Sequence, residues 1–298
     1  MSPSTDGWRK EEKVSAELFP TVAEAAFIKR ISDFCQRKYG FSAPQVFSAE
    51  PYYQQKLYLV MVCPKYNFWP NDTLVKDFYV YYGHSKDQAD AISRSYLERG
   101  FDVYIRDDCE HFSGAPENSI VITPKFFESL SYVWSICTLI HESFHHYVHK
   151  DDISLERYGQ HMTFDELVAE ESLATVIGHI GTLEYLTEIK ASRSLLKQAK
   201  RFVKKLGPFH ALINSQYQKL DKVYRSDNDS LKAETRRRIF NGWFLGGNAE
   251  FLIDYLYYGS SHLTRYLKLL DEDRTNRVLV SLVQDFARTY WSKFQRAR

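Results

Sequence analysis

The chain has 298 residues, 26% of them charged and 44% hydrophobic, and its net charge is +1. That length can bury a large core, and the near-neutral balance argues against a general electrostatic attachment to nucleic acid or membrane. No stretch approaches the roughly 18 apolar residues of a membrane span, and Cys35, Cys63, Cys109 and Cys137 occur singly, as in a reducing compartment.

Residues 1–13 are polar and charged with no apolar leader, so they read as a disordered tail on a protein expected in the cytoplasm, or exported by a leaderless route. Residues 14–298 read as one domain, with a sheet-containing lobe over 14–123 and a helical lobe over 124–298. Helical spacing runs from Glu24 to Lys38 through Ala25, Ala26, Phe27, Ile31 and Phe34. Four runs rich in aromatic and β-branched residues read as strands: 57–63, 77–82, 101–106 and 119–123. A helix over about 86–98 separates the second and third. From 124 onward nearly everything is helical in pattern. A small mixed sheet followed by helices is an α+β order, as expected when a sheet edge lines a metal cleft.

Within the helical half, residues 141–145 spell His-Glu-Ser-Phe-His. With 10 His in the chain, composition alone gives roughly 0.02 matches to His-Glu-x-x-His. On a helix His141 and His145 stand one turn apart, so both imidazoles leave the same face and can share one metal ion. Glu142 projects about 100° away, placed to take a proton without being a ligand. Phe126, Phe127, Leu130, Val133, Trp134, Ile136, Cys137, Leu139 and Ile140 make the surrounding helix apolar on almost every side, so it should run through the core.

A catalytic zinc has three protein ligands and an open fourth position. The next apolar segment, 164–178, offers Glu166, Glu170 and Glu171. Glu171 shares a face with Leu167, Val168, Ala174 and Gly178, where small residues let two helices approach closely. Glu166 lies near the helix start, where an acidic residue favours the dipole, and Glu170 fits a supporting or a solvated role. Spacing favours Glu171 without settling the choice.

Thr138-Leu-Ile-His-Glu-Ser-Phe-His-His-Tyr-Val148 followed by Glu171-Ser-Leu-Ala-Thr-Val-Ile-Gly178 resembles a bacterial family of zinc aminopeptidases of the gluzincin type. Tyr58–Lys65, Tyr81-Tyr-Gly83, Gly100-Phe-Asp-Val-Tyr104, and Gly247-Asn-Ala249 followed by Tyr255 are similar to other segments of that family in the same order. The resemblance implies a zincin-like fold, one Zn2+ held by His141, His145 and Glu171, and aminopeptidase activity on peptide or protein substrates. The chain departs from the pattern at Glu170, which replaces an Asn, at His84, and at Phe112-Ser-Gly-Ala-Pro-Glu117. A Gly-x-Met-Glu-Asn amine-binding loop is absent, since Met occurs only at 1, 61 and 162.

In such a site Glu142 is the expected general base, with a Tyr or His donor facing the developing oxyanion. His146, His149, Tyr158, His161 and Tyr255 are candidates for that donor. Asp151 and Asp152 are candidates for orienting an imidazole, and Tyr52, Tyr53, Tyr257 and Tyr258 for lining a cleft. The basic stretch from Lys190 to Lys205 and Arg236-Arg-Arg238 reads as solvated helix surface, and no nucleic-acid partner is expected. A catalytically silent protein that keeps the metal site is the rival reading.

Overall fold

Apolar residues on nearly every side of the motif helix force it inside. The computed structural model describes residues 22–41, 58–106, 111–115, 119–122, 130–149, 161–241, 246–272 and 276–296. The motif lies on α3 (Tyr132–His149), whose buried residues cover all faces from Val133 to His149. Beside it runs α4 (Phe164–Glu188), 25 residues long and buried along most of its length. It is the central helix, packed against α3, against α5 (Arg193–Tyr224), and against α8 (Ser261–Glu272).

The start of α4 is fixed twice over. Thr163 and Glu166 form a capping box, in which Glu166 N–H donates to Thr163 Oγ1 (3.3 Å) and Thr163 N–H donates to Glu166 Oε2 (2.9 Å). The preceding backbone pairs with the loop at 71–75, through Val75 N–H to Met162 O (2.9 Å) and Phe164 N–H to Thr73 O (2.7 Å). Glu166 is therefore spent on the helix terminus.

The N-terminal half supplies α1 (Val22–Tyr39), which packs on α3, and a three-stranded sheet of order β2-β1-β3. Its strands are β1 (Tyr58–Pro64), β2 (Tyr79–Gly83) and β3 (Phe101–Arg106). The expected mixed sheet is corrected here, because both strand pairs are antiparallel. The crossover through α2 (Lys86–Glu98) does leave β2 and β3 parallel to each other, but β1 lies between them, so no parallel pair touches. Tyr58, Val60 and Val62 share one face and pack with Ala89 of α2, while Cys63 on the other face joins the main core.

A hairpin of β4 (His111–Ala115) and β5 (Ser119–Ile122) packs against α3. The sequence reading found only its second strand. The structure thus combines helices with small antiparallel sheets, the expected α+β mixture. Among the described residues, no helix is long and apolar enough to cross a membrane. Cys35, Cys63 and Cys137 are buried and free.

One buried polar knot ties the sheet to the helices. Asp102 of β3 accepts from the Arg236 guanidinium of α6 (Asp229–Phe240) and from the backbone N–H of Asn248 (2.7 Å), the first residue of α7 (Asn248–Asp254). Asn248 in turn donates to the carbonyls of Pro64 (2.8 Å) and Asn67 (3.1 Å) and accepts from Tyr224 Oη (2.7 Å). Gly247 precedes it with φ +62°, and an added Cβ would run into the Asp102 carboxylate. The Gly-Asn-Ala segment singled out in the sequence is a structural clamp. Replacing Asp102 by Ala strands a mostly buried guanidinium, and the expected loss is about 3–5 kcal/mol. Removing Lys29 from its exposed pair with Asp33 should cost less than about 1 kcal/mol. Urea unfolding of both variants checks the contrast.

Candidate metal centre

His141 and His145 leave α3 on one face, as their spacing dictates, and α4 presents Glu171 to both. Their approach depends on Gly178, two turns along α4. A Cβ there would lie 2.9 Å from the Cys137 carbonyl oxygen and 3.4 Å from His141 Cβ. No larger residue fits without pushing the helices apart.

The result is a triangle of three potential ligand atoms. His141 Nε2 and His145 Nε2 are 3.0 Å apart, and Glu171 Oε2 stands 3.2 Å from the first and 3.3 Å from the second. Glu171 Oε2 is buried and has no hydrogen-bond partner among the described residues. A buried carboxylate oxygen normally finds a donor; this one faces two imidazole nitrogens instead. The set can hold a metal ion.

Glu170 stands behind the triangle. Its Oε1 accepts from His145 Nδ1 (2.5 Å) and from His149 Nε2 (2.7 Å). Because a carboxylate only accepts, His145 carries a proton on Nδ1 in that contact, which leaves Nε2 as the nitrogen that faces Glu171. His145, His149 and Glu170 also lie close enough to suggest a second metal group. There, however, Glu170 Oε1 already accepts two hydrogen bonds, one from each ring. Burial separates the two carboxylates further: the Glu170 side chain is 0% exposed, whereas His141 and Glu171 keep 12% and 14%. The open side of the triangle is the His141–Glu171 side.

Electrostatics follow the same division. Burial alone favours neutral His145, but the carboxylates of Glu171 and Glu170 outweigh it and lift the imidazole well above its ordinary value. Burial also opposes ionised Glu171, yet His145 and His141 outweigh it and hold the carboxyl far below the usual range. Glu170 is lowered in the same sense, with His149 and His145 overcoming burial.

Glu142 is buried on the same helix. Tyr257 stands beside His141, their ring centroids 5.7 Å apart. The Glu171 carboxylate, then burial, push the Tyr257 hydroxyl well above its ordinary value, and Glu142 adds to the shift. Tyr257 therefore keeps its proton. It sits on a π-helical turn (Tyr255–Gly259) that Ser172, next to Glu171, fixes through its hydroxyl: Ser172 Oγ donates to Leu256 O (3.2 Å) and lies 2.6 Å from Ser260 Oγ. From α5, His210 donates to Tyr258 O (2.6 Å).

No family model, curated protein or solved structure matches this chain.

The sequence reading named Tyr255 as an oxyanion donor and Tyr257 only as a cleft residue. The structure places them differently: Tyr255 is half-buried against the core, stacked on Tyr217 (4.0 Å) and on Phe164. His149 is occupied by Glu170, His146 is buried and His161 is exposed. Tyr52, Tyr53, Tyr158, Asp151, Asp152 and the 1–13 tail lie outside the described residues, as do the side chains at 112–117.

These shifts fix a sign. In the metal-free protein the raised His145 contributes stability that is complete below its unfolded value of about 6.5 and is lost as pH rises through the folded value. A metal ion displaces that proton, so binding releases protons and weakens as pH falls. Calorimetric titration with Zn2+ at pH 7, in buffers of differing ionisation heat, should show close to one proton released per ion. Glu170→Gln should weaken binding about 10–100-fold, and Glu171→Gln should weaken it more.

Proposed function

We propose that this chain is a zinc-dependent peptidase of the gluzincin type, with one Zn2+ held by His141, His145 and Glu171 and with Glu142 as general base. The observation that carries the proposal is the convergence of three potential ligand atoms on one point, with the Tyr257 ring beside His141.

Two imidazoles and one carboxylate suit zinc or another late divalent metal better than magnesium or calcium, which take oxygen ligands. Tetrahedral zinc with bonds of about 2.0–2.2 Å needs ligand separations of about 3.3–3.6 Å. The observed 3.0–3.3 Å edges reach that with movements of a few tenths of an ångström. When bound, the ion supplies Lewis-acid polarisation of a carbonyl and lowers the pKa of water to about 7.

The chain's own groups would then divide the work. Glu142 takes a proton from the attacking water and passes it to the departing amine. Tyr257, held protonated, donates a hydrogen bond where negative charge develops on the carbonyl oxygen. Glu170 keeps His145 in the tautomer that leaves Nε2 unprotonated. The resemblance of 138–148 and 171–178 to zinc aminopeptidases favours cleavage next to a free amino terminus, and a zincin-like frame fits two antiparallel helices bearing the ligands.

Glu142→Gln should retain zinc and lower peptide hydrolysis by at least about 10²-fold; full activity in that variant would sink the base assignment. Tyr257→Phe should lower kcat by about 10²–10³ with KM little changed. Peptides with free and acetylated amino termini separate the exopeptidase reading from an endopeptidase. Iron in place of zinc, with no hydrolysis, would contradict the proposal and suit the two-His, one-carboxylate iron sites.

A further inference from the structure

About two helical turns from the metal centre lies a cavity that the proposed hydrolysis does not use. Its volume is about 470 Å³, and Trp134, His179, Phe202, Lys205, Phe209 and Tyr258 are among the residues lining it. That size is within the range of small-molecule sites, roughly 300–1,000 Å³. Trp134 precedes His141 by seven residues on α3, or about 10 Å along the axis. Its walls are aromatic and closely ordered: the His179 imidazole stacks on Phe202 at 4.1 Å with the rings 8° from parallel, and Trp134 meets Phe202 edge-on at 4.4 Å.

His179 is the informative member. It is 4% exposed, yet only Nδ1 has hydrogen-bond partners among the described residues. Nδ1 lies 2.8 Å from the Thr175 carbonyl oxygen and 3.8 Å from Cys137 Sγ. A carbonyl cannot donate, so the proton is on Nδ1 and Nε2 carries the lone pair. Burial holds the ring down to about 4, so it is neutral at physiological pH. Nε2 is therefore the free acceptor of a ring that lines the cavity and whose other nitrogen is engaged. Lys205 lies at the rim, exposed and with no ion-pair partner among the described residues.

We infer that this cavity is a second binding site, for a small aromatic acid that carries a ring hydroxyl. The ring stacks among Trp134, Phe202 and Tyr258, the hydroxyl donates to His179 Nε2, and the carboxylate meets Lys205. A ring hydroxyl can donate to that acceptor, a contact that an analogue lacking the hydroxyl cannot make. The site is independent of the metal-centre reading, since none of its lining residues is a ligand.

Calorimetric titration of the full chain with 4-hydroxyphenylacetate and with phenylacetate tests it. The hydroxylated acid is expected to bind saturably, one per chain, and at least about tenfold more tightly. Lys205→Glu, a surface change, should weaken both acids, and His179→Phe should abolish the preference for the hydroxyl. Equal affinity of the two acids for the unaltered protein would overturn the inference, as would no saturation below about 10 mM. The comparison of ligands needs no variant, so an unfolded His179→Phe leaves it decisive.

Discussion

The close approach of α3 and α4 at Gly178 is the constraint on which the site depends. Two long helices bring His141 and His145 to within 3.3 Å of one carboxylate oxygen only because no side chain separates them two turns away. Gly181 extends the contact, since a Cβ there would lie 3.0 Å from Tyr39 Oη and 3.1 Å from Ile140. Tyr39 then donates to Glu184 (2.7 Å), which adds α1 to the same bundle. The energy for this packing comes from burying nearly every apolar residue of both helices. Part of it offsets the cost of placing several imidazoles and the carboxylates of Glu142, Glu170 and Glu171 in the interior.

That interior is polar in an ordered way. Glu170 satisfies His145 and His149 from behind, while Glu171 turns its buried Oε2 to the two Nε2 atoms. Adjacent residues of one helix thus take different tasks because they point about 100° apart. Ser172, the next in line, fixes the turn that carries Tyr257. Three consecutive residues, Glu170, Glu171 and Ser172, therefore set the orienting contact, the candidate ligand and the opposite wall.

The sequence made the His-Glu-x-x-His geometry legible because helical period alone puts residues four apart on one face. It also ranked Glu171 above its neighbours through the small residues Ala174 and Gly178, and the packing agrees. Tyr257 was not legible as a site residue. It lies 86 positions beyond Glu171, and its direction is set by a π-helical turn in which the ordinary 3.6-residue count fails. The same local unwinding lays Tyr255 against the core, on Tyr217 and Phe164. The strand at 111–115 was missed because Ser113, Gly114 and Ala115 lack the β-branched signal of the other strands. The His179 cavity is assembled from α3, α4, α5 and the π turn, and no local pattern announces it.

Anomalous diffraction at the zinc edge, from crystals of the metal-loaded protein, addresses the central claim most directly. The account predicts one peak about 2.0–2.2 Å from His141 Nε2, His145 Nε2 and a Glu171 oxygen, with Glu170 still hydrogen-bonded to His145. A peak ligated by Glu170 and His149, or none between the two helices, would contradict it.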